Sequence, residues 1–433
     1  MLNNFLIVFG KIISKIFRLL KLGDGSTWPG HIALNLNKNF VKQVLQNSKT
    51  KIVIIAGTNG KTTTAALLKT ALKNNGETVF QNKSGANLLN GIASSLIINS
   101  SLSGKIDYDF AIFEIDENAL PHVLAQCEPD YLILINLFRD QLDRYGEINT
   151  IIEKWKKSIS QLTNKTNLVL NADDPQIAYL SKGTDANVSF FGLSKSETNN
   201  NIFQDSADSG YCPNCSNKLF YSQIFFSHLG DWHCNNCGLT HPKVEINNFS
   251  TFPLPGMYNQ YNTLACVLVL REIGIKDSEI EKSFANFKPA FGRQEIVKYK
   301  NKNVQIFLSK NPTSFNQSFK TISDLDAETL LIVLNDKIPD GRDISWIWDV
   351  DLPQIEKFKQ ILISGDRVYD MALRMKYELG IKNYESRVKL YEDLMQAIDT
   401  GVDIIENNET LFILPTYSAM LETRKILTGK KIL

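Results

Sequence analysis

Excess charge of either sign is missing from this chain. Its 433 residues carry 47 Lys and Arg against 46 Asp and Glu, a formal +1, so no global field draws it to nucleic acid or to an anionic surface. No apolar run reaches the length of a membrane span. Internal repeats and long low-complexity stretches are absent. Histidine is scarce, five residues in all, and cysteine numbers six. Four of those cysteines stand in close pairs. Cys127 and Cys266 stand alone, Cys266 inside an apolar stretch and Cys127 at a helix end, the settings of small packed residues. Away from the cysteine pairs only His31 and His122 remain. The chain therefore lacks a Cys–His pair suited to nucleophilic catalysis.

What is present has the composition of a soluble globular protein, 43% hydrophobic and 21% charged. The length calls for two domains or more. Residues Leu2 to Leu22 read as an apolar helix interrupted by Lys11, Lys15, Arg18 and Lys21. A signal peptide would place its charges ahead of the run. The expected arrangement is a helix packed on its own domain, with a basic amphipathic helix on a membrane surface as the alternative. The compartment expected is the cytoplasm, at the inner membrane face if that helix touches lipid.

Cys212, Cys215, Cys234 and Cys237 form C-x2-C-x18-C-x2-C. In a reducing compartment this spacing points to tetrahedral zinc rather than disulfides. Four thiolates leave no open coordination position, so the expected role is structural. His228, His233 and His241 lie in or beside this module.

Lys51 to Ala56 reads as a buried strand, followed by Gly57, Thr58, Asn59, Gly60, Lys61, Thr62 and Thr63 and then an Ala/Leu-rich helix. Strand, glycine loop and helix make a phosphate cradle, because glycines let backbone N–H groups approach the phosphates and the helix end adds its positive pole. Lys61 is expected to reach the β/γ-phosphates of ATP and Thr62 to ligate Mg2+. The spacing departs from the common loop, since Ile55 stands where its first glycine would be. Phe110 to Glu117 reads as a strand ending in acids, with Glu114 the first choice for a metal-binding or water-positioning carboxylate and Asp116 the second. Strands at Tyr131–Asn136 and Asn167–Leu170 also end in polar segments, where open parallel sheets bind ligands.

Residues 57–63 resemble the P-loop of the Mur ligase and folylpolyglutamate synthase superfamily. Asn136 to Gly146, Asn171 to Pro175, Gly256 to Ala265 and Gly292-Arg-Gln-Glu295 resemble further segments of that superfamily. The resemblance implies ligases that phosphorylate a carboxylate with ATP and Mg2+ and let an amine displace the phosphate. It also implies nucleotide contacts from Asn171, Asp174 and Arg293. Two departures stand out: Gln141 replaces a metal-binding His, and Lys154 and Lys156 only bracket the position of a carbamylated lysine.

Lys310 to Gln317, Asn335 to Asp343 and Ser345-Trp-Ile-Trp-Asp-Val-Asp351 are similar to the MurT-like subfamily, which the cysteine module also suits. That resemblance implies a synthetase subunit working with a GatD-like glutaminase that releases ammonia from glutamine. The implied reaction is amidation of D-glutamate in the stem peptide of lipid II to D-isoglutamine. In that subfamily the Asp of the Ser-Trp-Ile-Trp-Asp segment, here Asp349, serves the glutaminase across the interface.

The expected fold is α/β throughout. Residues 1–44 form a helical lead and residues 45–290 a Mur-ligase-type ATP-binding domain with a zinc ribbon inserted at 205–247. Residues 291–433 form a smaller Rossmann-like domain that meets the partner. Two alternatives stay open: an autonomous Mur-type ligase adding an amino acid or free ammonia, and a zinc-ribbon nucleic-acid-binding protein. Against the second, Lys218 and Lys243 are the module's only lysines between residues 211 and 243.

Overall fold

The computed structural model describes residues 2–19, 27–46, 48–83, 85–139, 148–193, 210–352 and 355–429. Gln141, the end of the N-terminal apolar run and the first residues of the 205–247 module lie outside these.

Six parallel strands build the first sheet: β1 (Lys51–Ala56), β2 (Val79–Gln81), β3 (Phe110–Ile115), β4 (Tyr131–Leu134), β5 (Asn167–Asn171) and β6 (Asn187–Phe191), in the order β2-β3-β1-β4-β5-β6. The central strand β1 is a continuous apolar run because both faces of a parallel sheet are covered. Ile52, Ile54 and Ala56 point to one side, against α1 (Leu2–Leu19), α2 (Trp28–Leu36), α3 (Phe40–Gln46) and α5 (Leu89–Asn99). Val53 and Ile55 point to the other, against α4 (Lys61–Asn74) and the helix Met257–Ile273. The latter helix is buried along most of its length, which accounts for its apolar sequence and makes Cys266 a core residue.

The second sheet begins at Arg293. It holds β9 (Arg293–Tyr299), β10 (Lys302–Phe307), β11 (Thr329–Val333), β12 (Gln360–Ser364), β13 (Val388–Leu390) and β14 (Thr410–Pro415), ordered β13-β12-β11-β14-β10-β9. All pairings are parallel except β9 with β10. Between the sheets in sequence, β7 (Phe220–Phe226) and β8 (Leu229–His233) form an antiparallel hairpin that carries the cysteine pairs at its flanks. Both sheets thus present strand C-termini and the loops after them, where ligand-binding groups collect.

Candidate nucleotide site and cysteine cluster

The loop between β1 and α4 owes its shape to two glycines at positive φ, Gly57 at 141° and Gly60 at 94°. A side chain is excluded at Gly60 twice over. The backbone is in a region that L-residues rarely adopt, and a Cβ there would stand 2.0 Å from Asn262 Oδ1. The loop is latched to the segment after β4. Thr58 N donates to Asn136 O (3.1 Å), Asn59 N donates to Asn136 Oδ1 (2.9 Å), and Asn136 Nδ2 returns a bond to Asn59 O (3.1 Å). Thr58 Oγ1 accepts from Phe138 N at 3.0 Å.

At the start of α4, the Lys61 ammonium donates to Gly57 O and to Thr58 O (3.2 Å) and lies 3.4 Å from Glu117 Oε2. The Thr62 hydroxyl donates to Glu114 Oε2 at 2.7 Å. Burial pushes the Glu114 carboxyl above the usual range, opposed by bonds from Thr62 and Gln81 and by the charges of Arg293 and Lys61. For Glu117 burial acts in the same direction, but the Lys61 and Lys310 ammoniums outweigh it and the net shift is downward. A hydroxyl and a buried carboxylate 2.7 Å apart at a phosphate loop fit a hard dication, which takes oxygen ligands.

Two cavities flank this loop. A slot of about 60 Å3 is lined by Asn59, Gly60, Thr63, Phe138, Tyr258, Asn262, Arg293 and Gln294. A larger one of about 390 Å3 is lined by Lys61, Thr62, Glu114, Asp116, Arg293 and Lys310 among others, a size usual for small-molecule sites. Arg293 and Lys310 come from the second sheet's domain and face the P-loop across the cleft. Asn311 Nδ2 reaches Asn59 Oδ1 at 3.4 Å there. Lys61, Thr62, Glu114, Asp116 and Arg293, each singled out from sequence, therefore meet in one place. Glu117, Lys310 and Asn262 were missed as site residues. All three lie in motifs that drew notice, but only the fold aims them at the loop.

Asn171 and Asp174 are held by hydrogen bonds within the fold. Both are 0% exposed and neither is among the described residues lining either cavity. Asn171 Nδ2 donates to Ile135 O (2.9 Å) and its Oδ1 accepts from Asp173 N (3.0 Å). Asp174 caps the short helix Pro175–Tyr179, accepting from Gln176 N and Ile177 N, and also accepts from Leu137 N. The physical reason is that this segment seats the β7–β8 hairpin. Trp232 Nε1 donates to Ala172 O (3.0 Å), Gly230 N to Asp173 O (3.0 Å), His241 Nε2 lies 2.7 Å from Asp173 Oδ1, and His228 Nε2 lies 3.3 Å from Asp174 Oδ2. Those two histidines anchor the module and do not join its cysteines. Lys156 is likewise elsewhere, 4.8 Å over the Tyr179 ring.

The four cysteine sulfurs lie within 4.8 Å of one another. Cys212 and Cys237 are 3.6 Å apart, and Cys215 and Cys234 3.5 Å. Four sulfurs at a tetrahedral zinc are about 3.8 Å apart, from a Zn–S bond near 2.3 Å. The two knuckles repeat one geometry: Cys212 N donates to Asn217 O and Cys234 N to Leu239 O, while Ser216 N and Gly238 N donate back to the carbonyls of Cys212 and Cys234. The group can hold a metal ion.

Asp349 ends a 3-10 turn, Ser345–Asp349. Its carboxylate is half exposed and lies 3.7 Å from Arg139 of the first domain. Beside it Trp348 packs edge-on against Tyr377 (5.6 Å), and Tyr369, Leu373 and Tyr377 expose an apolar stripe on the helix Val368–Arg387.

Comparison with known proteins decides the family. The chain is 35% identical over 424 residues to the MurT subunit of lipid II isoglutaminyl synthase from Staphylococcus aureus (strain COL), covering 87% of this chain and 94% of that one. The chain belongs to the MurT family. The MurT subunit from Streptococcus pneumoniae (strain R6) is 33% identical, with 97% of this chain and 96% of that one covered. The Mur ligase middle domain model matches residues 55–270 and the MurT ligase C-terminal model residues 308–420. The fold of this MurT-family ligase is shared with a pseudomurein peptide ligase type C from Methanothermus fervidus, at a TM-score of 0.65 and 22% identity over 89% of this chain and 80% of that one. It is shared too with a Thermotoga maritima MurF ligase solved with ADP, at a TM-score of 0.59 and 15% identity over 92% and 85% of the two chains.

Proposed function

We propose that this chain is the ATP-using subunit of an enzyme that amidates the D-glutamate carboxylate of the lipid II stem peptide to D-isoglutamine. The observation that carries the reading is the meeting of Lys61, Thr62, Glu114, Arg293 and Lys310 around one cavity between the two domains. The triphosphate runs over Gly57 to Thr63, with the base on the Asn262 and Tyr258 side of the loop. Thr62 and Glu114 would hold Mg2+, whose charge would offset that of the phosphates. A substrate carboxylate oxygen, aligned by Arg293 or Lys310, attacks the γ-phosphorus, and the γ-phosphorus–oxygen bond to ADP breaks. The lone pair of ammonia then attacks the acyl carbon. Phosphate leaves with the bonding pair, and the nitrogen loses a proton to yield the amide. Lys61 releases its contacts with Gly57 O and Glu117 to meet phosphate.

Ammonia has to come from elsewhere. Burial pushes the Cys127 thiol up to about 12 and also raises the fully buried Cys266 thiol well above its ordinary range, so neither supplies a nucleophilic thiolate. A GatD-like glutaminase subunit supplies the ammonia, docked on the exposed stripe of helix Val368–Arg387. Asp349 orients and charge-stabilises the partner's catalytic His. Its neighbours are engaged locally, Asp343 accepting from Ser345 N (2.8 Å) and Asp351 bonded to Asn316. The cysteine cluster would hold structural zinc, whose binding would stabilise the hairpin's seat on Asp173 and Asp174. The test supplies the chain with lipid II, ATP, Mg2+ and glutamine, with and without the glutaminase, and reads the small mass decrease of OH replaced by NH2. Loss of the stem-peptide D-glutamate as acceptor, with another carboxylate amidated instead, would overturn the substrate assignment.

A further inference from the structure

α1 is held by only one side. Leu6 and Ile7 are buried in the core, and Gly10 abuts α5 so closely that a Cβ there would stand 2.8 Å from Ile97 Cγ2. The Lys11 ammonium caps the far end of α5, donating to Ile98 O and Ser100 O. The opposite side carries Leu2, Phe5, Phe9, Ile12 and Ile16 at the i, i+3, i+7, i+10, i+14 spacing of a single helical stripe. All five are exposed, Phe5 at 61% and Ile12 at 51%. Phe5 and Phe9 stack on each other at 5.8 Å rather than on the protein. Trp28, at the start of α2, is 54% exposed and stacks on Phe17, 6.1 Å away, continuing the apolar surface.

Charge says what covers this face. The first 50 residues contain seven basic residues against the single acidic Asp24, a net of +6 in a chain whose total is +1. Lys15, Lys38 and Lys42 are exposed. Asn3 donates to Gln43 (2.9 Å) and accepts from Asn37 (2.8 Å), which sets Lys38 and Lys42 beside the start of α1. A second copy seated here would bring two such basic segments together, a repulsive arrangement. An anionic surface with an apolar interior meets both the stripe and its basic margin. No described helix is long and apolar enough to cross a membrane.

We propose that α1 lays its exposed stripe into an anionic bilayer surface, with Lys15, Lys38 and Lys42 at the headgroups. This goes beyond the amidation reading and does not depend on it. The geometry is also serviceable. α5 runs from Leu88, at the mouth of the larger cavity, to the residues that Lys11 caps. Eleven helical residues span about 16 Å, so a surface-bound α1 leaves the cleft a short reach from the headgroups. Because the buried side already folds α1, binding carries no cost of helix formation.

The full chain is to be sedimented with vesicles of phosphatidylglycerol and phosphatidylcholine mixed, and with phosphatidylcholine alone. Binding is expected to the first, to weaken as salt rises, and to be at least about tenfold weaker to the second. Phe5→Glu with Ile12→Glu should weaken binding about tenfold or more, with melting temperature and ADP binding unchanged, since both side chains face solvent. Lys15→Glu with Lys38→Glu should weaken it only on the anionic vesicles. Wild type left in the supernatant, or the Phe5→Glu, Ile12→Glu variant binding as wild type, overturns the proposal. So does a self-association that the same variant abolishes without any vesicle binding by wild type. None of these measurements uses a stem peptide, so a wrong substrate leaves the outcome untouched.

Discussion

Replacing Glu114 by Gln should move stability and activity in opposite directions. The carboxylate is 5% exposed and its folded-state pKa is raised by burial above the ordinary 4.5. Its ionised form is therefore disfavoured in the folded chain at neutral pH, despite Thr62, Arg293, Gln81 and Lys61 around it. Gln has the same shape, still accepts from Thr62, donates to the Gln81 amide once that amide turns its oxygen inward, and carries no charge. The variant should gain about 1 kcal/mol at pH 7, as neutral replacement of a strained buried charge does, visible as a rise of about 2 °C in melting temperature. A raised folded-state pKa means that wild type regains stability as pH falls through that pKa towards 4.5. The gap between the two proteins should be widest near neutrality and close by pH 4.5. Activity should go the other way. Losing a charged Mg2+ ligand should cost roughly 10²-fold in ATP turnover, about 3 kcal/mol of transition-state stabilisation. Calorimetric melts at pH 7 and pH 5, with ADP release in the presence of lipid II, measure both. A variant less stable at pH 7, or one that keeps wild-type turnover, refutes the assignment of Glu114 as a buried metal ligand.

Lys61→Ala should abolish ATP turnover and also lower the melting temperature, because it leaves the buried Glu117 carboxylate without its nearest counter-charge. Gly60→Ala should abolish ADP binding in calorimetric titration, since the φ of 94° and the Asn262 side chain both oppose a Cβ; a normal dissociation constant would show that the loop opens in solution. Cys212→Ser or Cys237→Ser should lose bound zinc by metal analysis and lower the melting temperature, with insolubility as the first sign. Asp349→Asn should leave ATP binding and ammonia-driven amidation intact and reduce glutamine-driven amidation by about 10²-fold or more. Asp343→Asn and Asp351→Asn should spare that ratio, and equal loss of both activities in Asp349→Asn would place it in the ligase site.

The parts legible in the sequence were those whose chemistry is local. A strand, a glycine loop and a helix follow one another within residues 51–74, so the shape of the cradle needs only neighbouring residues. Two C-x-x-C turns each build one knuckle by short-range hydrogen bonds, and their spacing suffices to pair them. Continuous apolar runs named the buried strands because a parallel sheet covers both faces.

Choices among similar groups belonged to the tertiary structure. Glu114 lies within β3, whose alternation aims it at Thr62, whereas the chain has left the strand by Asp116, and the turn that follows decides that Glu117 meets Lys61. Arg293 and Lys310 reach the phosphate loop only because a second sheet packs across the cleft. Asn171 and Asp174 sit at a strand end where ligands usually bind, and a hairpin from later in the chain covers them there. An apolar run interrupted by basic residues over 2–22 marked a helix with an apolar surface, and periodicity alone carries no record of which side the core will take. Packing against α5 buried Leu6 and Ile7 and left Phe5, Phe9 and Ile12 facing out. Sequence determines what each short segment can do; the contacts between segments far apart in the chain decide which of those capacities face a ligand and which are used up as structure.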